Sequence, residues 1–245
     1  MLKEILVIGE SCKDVFCYGK CNRLAPEAPA PVFNPVRETS NPGMALNVKK
    51  NIESLGVPCA IHTNFNWESI TKTRYVHIDT NQMFMRVDEH DDKVGKCKVR
   101  DIDFSAYKIV VISDYNKGFL TKDDIQYISE NHPCVFLDTK KKLGKWCENI
   151  KFIKINNKEY KRSIDFLPPN LEEKIIVTLG DKGCLYRGEV YSVNKVEIKD
   201  VSGAGDTFLA GLVTDFYKTN DIKKSIVFAN ECATQVVQRR GVNTL

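Results

Sequence analysis

Residues 200–211, DVSGAGDTFLAG, place two glycines and an alanine directly before an acid at the start of a helical pattern. Ordinary N-capping needs only one Ser, Thr, Asp or Asn. A helix N-terminus offers free N–H groups and a partial positive charge, so it attracts anions. Gly203, Ala204 and Gly205 carry almost no side chain, which lets an anion reach those N–H groups. Asp206 would repel a resting phosphate. It makes sense where a hydroxyl lies between the carboxylate and a phosphoryl group in transfer, with Asp206 accepting the proton and the N–H groups holding the equatorial oxygens. Its helix-terminal place predicts a weak base, tolerable because orientation counts for more than basicity in a loose transition state. Gly205 reads as a position that uses glycine torsions. A Gly-rich loop with a capping Asp is the alternative for this segment.

Strands alternate with helical patterns around this segment. EILVIG (4–9), KIVVIS (108–113), CVFLD (134–138), KFIKI (151–155) and KIIVTL (174–179) are apolar runs of the buried parallel kind. GMALNVKKNIESLG shows helical periodicity and stops at Gly56, and TKDDIQYISEN opens with Thr121 and Asp124 in capping-box spacing. Helices are predicted at about 205–218 and 221–239, the second capped by Asp221. This order implies a mostly parallel sheet with helices on its faces, where ligands bind beyond the carboxyl ends of the strands. Glu10, Asp14, Asp114, Asp138, Asn156, Glu159 and Gly180 follow those ends. Residues 15–37, with four prolines, and 74–88 are extended segments outside the alternation, expected to form a small β lid over the site.

Composition narrows the class. The chain has 245 residues, 28% charged and 42% hydrophobic, with a net charge of +4, which suits anionic small molecules better than nucleic acid. The basic clusters Lys140–Lys142, Lys223–Lys224 and Arg239–Arg240 read as solvated surface. Nine cysteines without a CxxC pair or a signal peptide read as free thiols of a cytoplasmic protein. No apolar run approaches the ~20 residues that span a bilayer. The P-loop motif is absent, and GESCKD after the first strand is not a dinucleotide fingerprint.

DVSGAGDTFLAG resembles the C-terminal signature of the ribokinase-like (pfkB) carbohydrate kinases. NPGMALNV is similar to their N-terminal glycine motif, INNKE to the segment that organises Mg·ATP, and VTLGDKG to the strand–turn bordering the nucleotide. RLAPEAPAPVF, TKTR with RVD, SDYNKGFL and FANECATQVVQRRGVNTL look like the heptose-7-phosphate kinase branch of bacterial lipopolysaccharide biosynthesis. The resemblance implies a three-layer α/β/α sandwich with a mostly parallel central sheet, forming a single kinase domain over 1–245.

The same resemblance assigns roles. Asp206 would be the base, with Gly203, Ala204 and Gly205 as the anion hole. Asp14 and Asn47 would hold sugar hydroxyls, with Gly43 allowing close backbone approach. Arg74, Arg86 and Lys117 would border the sugar site and meet a substrate phosphate. Asn156, Asn157, Lys158 and Glu159 would lie at the ATP phosphates and Mg2+, Glu159 reaching the metal through water. Thr178, Gly180, Gly183 and Asn230 would line the nucleotide site. A monovalent cation beside the Asp200 loop and a homodimer through the lid are further expectations. Met44 stands where the family has a second glycine, Ile155 where it has proline, and a strand–helix portion between Gly56 and Thr71 reads as missing. A kinase of another sugar or nucleoside, and a silent sugar- or nucleotide-binding relative, stay open as alternatives.

Overall fold

In the computed structural model, which describes residues 3–241 and 244–245, the first apolar run is strand β1 (Lys3–Gly9) and serves two cores. Ile5 and Val7 join one cluster and Leu6 and Ile8 the other, all fully buried. Burial on both faces is why the run shows no polar alternation.

The chain then leaves the central sheet for a long hairpin, β2 (Ser11–Leu24) and β3 (Pro31–Met44). Helix α1 (Ala45–Ser54) and strand β4 (Cys59–His62) return it to the central sheet. Strands β5 (Thr71–His77) and β6 (Met83–Glu89) complete a second sheet of order β3-β2-β5-β6. β3 is an edge of that sheet, which is where Pro31, Pro35 and Pro42 are tolerated. The alternation follows with β7 (Tyr107–Asp114), α2 (Lys122–Asn131), β8 (Val135–Thr139), β9 (Phe152–Asn156), α3 (Asn157–Ser163) and β10 (Ile175–Thr178). A hairpin of β11 (Cys184–Tyr186) and β12 (Glu189–Tyr191) precedes helices α4 (Ala204–Thr219) and α5 (Ile222–Val236).

The central sheet runs β12-β11-β10-β9-β8-β7-β1-β4, parallel from β4 to β10 and antiparallel in its last two strands. Helices α1, α4 and α5 pack on one face through Val48, Ile52, Leu209, Leu212, Val213 and Ile226. Ile125 and Ile128 of α2 cover the other face with Leu143, Ile150 and Leu171. This is the expected three-layer α/β/α sandwich. The capping boxes of Thr121 with Asp124 and the Asp221 cap form as predicted.

Two expectations change. The stretch between Gly56 and Thr71 keeps its strand, β4, parallel to β1, and only a single 3-10 turn (Trp67–Ser69) follows it. Half-buried apolar residues in a four-residue edge strand gave too weak a periodicity to be read. The cluster at 140–142 is not plain solvated surface, because Lys140 and Lys141 are tied into ion pairs with Glu159 and Asp114. All nine cysteines are free thiols. Among the described residues, no helix is long and apolar enough to cross a membrane.

Candidate active site

Helix α4 begins where expected. Gly203 precedes it at φ 80°, the left-handed region that favours glycine. Ala204 turns its N–H back to the Val201 carbonyl (3.3 Å), and Thr207 donates to Gly203 (2.9 Å). The first-turn N–H groups of Gly205 and Asp206 have no intrahelical acceptor. They, rather than Ala204, are the donors left for an anion. Gly205 is itself helical, so it is not glycine for its torsions. A Cβ there would lie 3.1 Å from the Lys154 ammonium.

Asp206 is buried, and both its oxygens are held. Asn47 of α1 donates to Oδ2 (3.0 Å), and the Tyr115 phenol, just after β7, donates to Oδ1 (2.6 Å). Asn51 donates to Asn47 Oδ1 (3.1 Å), which turns the Asn47 amide group towards the acid. Burial pushes the Asp206 carboxyl up to about 6, against the lowering effect of Asn47, Tyr115 and Lys154. The expectation of a weak base is therefore corrected. The helix start favours the ionised form, but loss of water disfavours it more strongly.

A second cluster of charge adjoins the helix start. Lys154, buried within β9, bonds to Asp138 at the end of β8 (2.7 Å). Lys140 bonds to Glu159 (2.7 Å) and lies 3.8 Å from Asp138. Burial alone would raise the Asp138 carboxyl, but Lys154 and Lys140 outweigh it and hold it below its ordinary value. Asn156 and Glu159 form the capping box of α3, so Glu159 also accepts the Asn156 N–H (2.8 Å). Asn157 and Lys158 are exposed at the same helix start. Asp138 Oδ1 is buried without a hydrogen-bond partner. That oxygen has only the Lys140 ammonium at 3.8 Å, and with Glu159 on the same lysine it is a carboxylate donor set that fits a magnesium ion arriving with phosphates and keeping most of its water.

Across from α4 lies a cavity of about 160 Å³ lined by Asp14, Met44, Lys72, Arg74, Arg86, Tyr115, Lys117, Gly203 and Asp206. Three of the four cations were expected; Lys72 was not. Each is held by an acid. Arg74 meets Asp14 (2.5 Å), Arg86 grips Asp88 with two nitrogens (2.5 and 2.6 Å), and Lys117 meets Asp91 (2.6 Å). Lys72 joins Asp91 (2.7 Å) to Asp88 (3.3 Å). The Arg86 grip holds Asp88 down at about 2. Gly43 lets Asp14 lie against β3, since a Cβ there would sit 2.0 Å from its Oδ2. Met44 adopts φ 60° and ψ −129°, a glycine-like conformation carried by a buried side chain. A wider cleft of about 280 Å³ beside β4, which Phe65 and Cys97 line, contains none of the candidate residues.

Asn47 lines no part of the cavity; its amide group is spent on Asp206. Thr178, Gly180, Gly183 and Asn230 gather around β10 to β12, apart from the cavity. Asn230 donates to the Tyr191 carbonyl (2.9 Å), and a Cβ on Gly183 would collide with the same carbonyl. Asp200 accepts the Ser202 and Gly241 N–H groups (2.8 and 3.0 Å). No cluster of three or more His, Cys, Asp or Glu suited to a metal occurs among the described residues. Lys72, Tyr115 and Lys154 escaped sequence reading. A lysine inside the apolar run KFIKI was the one available signal for Lys154, because a buried strand rarely carries an unpaired charge.

The model of the pfkB family of carbohydrate kinases matches residues 59–245. The chain belongs to that family. It is 31% identical over 294 aligned positions to the bifunctional protein HldE of a Nitratiruptor species, covering 100% of this chain and 63% of the relative. It is 29% identical to HldE of a Helicobacter pylori strain, covering 98% and 64%. The chain thus spans less than two thirds of these relatives. Two solved structures share the fold. The nucleoside kinase of Methanocaldococcus jannaschii, an archaeal member of the ribokinase family, has a TM-score of 0.72 at 17% identity, covering 98% of this chain and 93% of that one. Phosphofructokinase-2 from Escherichia coli, in complex with potassium, has a TM-score of 0.71 at 14% identity, covering 100% and 95%. The fold of this pfkB-family chain is ribokinase-like.

Proposed function

We propose that the chain is an ATP- and Mg2+-dependent kinase that transfers the γ-phosphoryl group to a hydroxyl of a sugar phosphate. The leading substrate is D-glycero-D-manno-heptose 7-phosphate, converted to the 1,7-bisphosphate. The observation that carries the reading is one buried carboxylate, with a proton affinity near neutrality, facing a cavity that four cations line. The chain's likeness to HldE proteins and its RLAPEAPAPVF segment support the heptose assignment.

Asp206 takes the proton of the acceptor hydroxyl. The acceptor oxygen bonds to the γ-phosphorus, and the bond to the ADP oxygen breaks with its electron pair leaving on ADP. The Gly205 and Asp206 N–H groups, with the Lys154 ammonium beside them, hold the oxygens of the transferring group. A Mg2+ ion brought with ATP would supply charge neutralisation on the phosphates. Glu159 and Asp138 would hold its water shell. Asp14 orients a sugar hydroxyl, while Arg74, Arg86, Lys72 and Lys117 offer the sugar's phosphate exchange partners for Asp14, Asp88 and Asp91. The nucleotide lies towards Thr178, Gly180, Gly183 and Asn230. The chain works as one kinase unit in the cytoplasm.

ADP release with a panel of sugar phosphates, the same sugars without phosphate, and nucleosides tests the reading. Only sugar phosphates should turn over well. Arg86→Ala should raise the sugar-phosphate KM ~10- to 100-fold, the worth of a charge-assisted hydrogen bond, and leave the ATP KM unchanged. Equal turnover of unphosphorylated sugars refutes the phosphate site, and no ADP with any acceptor refutes the kinase. Replacing K+ by choline in the same assay tests for a monovalent cation at the Asp200 loop.

The second sheet supports a homodimer. Leu24, Val36, Met83 and Met85 are each more than half exposed on it, and Phe33 packs edge-on against both Tyr75 and Phe84. A four-stranded sheet with such residues in water is an edge and patch that a two-fold partner would cover. Met85→Glu should convert a dimer seen by light scattering at tens of micromolar to monomer; a wild-type monomer refutes this.

A further inference from the structure

β7 ends at Asp114, and Tyr115–Lys117 turn over the cavity with Asn116 at φ 58°. One carboxylate holds this turn. Glu10, fully buried after β1, accepts the Tyr115 N–H (2.8 Å) and the Lys117 N–H (2.9 Å), one on each oxygen. The turn then sends two side chains to the cavity. Tyr115 donates its phenol to Asp206 Oδ1, and Lys117 places its ammonium on Asp91. The Tyr115 ring packs against the cluster of Cys12, Met44 and Ile70, and Lys140 lies 5.4 Å from its centre. Burial, then the Asp206 and Asp138 carboxylates, push the phenol well above its ordinary value, so it remains a donor at any working pH.

Taking Asp206 as the base of the proposed kinase, we infer that Tyr115 is its positioning residue and that the Glu10-held turn couples the base to the phosphate end of the sugar site. The phenol occupies one lone pair of Oδ1 and Asn47 one of Oδ2, which leaves the others aimed at the acceptor hydroxyl. Lys117, on the same turn, meets the substrate's phosphate. A sugar that engages Lys117 therefore steadies the residue that orients the base.

The charged and titratable groups facing Asp206 are Tyr115, Asp138, Lys140, Lys154 and the buried Cys12 thiol, with Asp14, Lys72, Arg74, Arg86 and Lys117 across the cavity. Tyr115→Phe removes the phenol and its one hydrogen bond to Asp206 and leaves the rest of this set and the ring packing in place. Because that bond favours the ionised acid, its loss should move the Asp206 titration up by about one pH unit. Carboxyl carbon NMR on aspartate-labelled protein reads this directly, with Asp206→Asn assigning the resonance. The acid limb of kcat should move by the same amount, with kcat down about tenfold and the ATP KM unchanged. Glu10→Gln, which offers one acceptor oxygen to two N–H groups, should shift the limb in the same direction and raise the sugar-phosphate KM. An unmoved Asp206 titration in Tyr115→Phe overturns the inference, as does an unmoved acid limb. If the wild type phosphorylates no sugar, the kinase reading fails, while the NMR titration still decides the Tyr115–Asp206 contact.

Discussion

Replacing Asp206 by Asn removes the proton acceptor at constant volume, and the structure separates that loss from collateral damage. Asn47 and Tyr115 both donate to the carboxylate. A carboxamide has one oxygen for these two donors, and Asn47 cannot turn over, because Asn51 donates to its oxygen. The oxygen then stays with Asn47 and the NH2 group faces the Tyr115 hydroxyl, which must turn from donor to acceptor, at about 0.5–1.5 kcal/mol. Expressed wholly in rate, that is roughly 2- to 13-fold. Loss of a positioned base adds ~10²–10⁴. Asn47→Ala breaks one of the same bonds and keeps the base, so it should cost only about tenfold. ATP binding should hold level or tighten, since a like charge about 8 Å away costs about 2 kcal/mol at an effective dielectric near 20. The assay is ADP release at pH 8 with saturating ATP and sugar phosphate, alongside an ATP Kd by calorimetry. Should Asp206→Asn fall no further than Asn47→Ala, the acid is a helix-start residue and the base assignment is wrong.

The pH profile follows from the raised carboxyl. Asp206 acts only when deprotonated, so kcat/KM should rise through pH about 6 and level off above it; a rate flat down to pH ~4.5 contradicts this. For stability the sign is opposite. A carboxyl at 3.8 when unfolded and about 6 when folded favours the fold below pH 3.8, and that contribution, about 3 kcal/mol, is lost progressively from there as pH rises through 6. In denaturant titrations the stability of wild type relative to Asp206→Asn should fall by about 1.4 kcal/mol from pH 5 to pH 8, the other buried acids such as Glu10 titrating alike in both. Met44→Gly and Met44→Ala both empty the Met44 site, but only glycine relieves the φ 60° backbone, worth about 1–3 kcal/mol. The expected Tm order is wild type, then Gly, then Ala, and an Ala variant above Gly disproves the strain. Gly205→Ala should lower kcat with little change in Tm, because its Cβ meets one atom, the Lys154 ammonium at 3.1 Å, which can give by a few tenths of an ångström. Gly203→Ala should instead lose about 1 kcal/mol of stability at its positive φ.

Local chemistry made the fold legible. Apolar runs such as EILVIG, the Thr121–Asp124 box and the Asp221 cap act within a few residues, so sequence alone located β1, α2 and α5. The small residues before Asp206 likewise announced a helix start open to an anion. The short elements β4, α3, β11 and β12 went unread, because three to seven residues carry too little periodicity. The strength of the base was decided by tertiary structure. Burial sets it, and the donors that oppose burial, Asn47 and Tyr115, stand 159 and 91 residues away in sequence. The charge of the cavity was decided the same way: Arg74 and Arg86 were expected at the sugar site, Lys72 was not, and the pairing of the three with Asp14, Asp88 and Asp91 arose only once β5 and β6 faced Asp14 and α4. A proton affinity and an electrostatic field are sums over neighbours in space, and a chain written in one dimension does not show which neighbours those are.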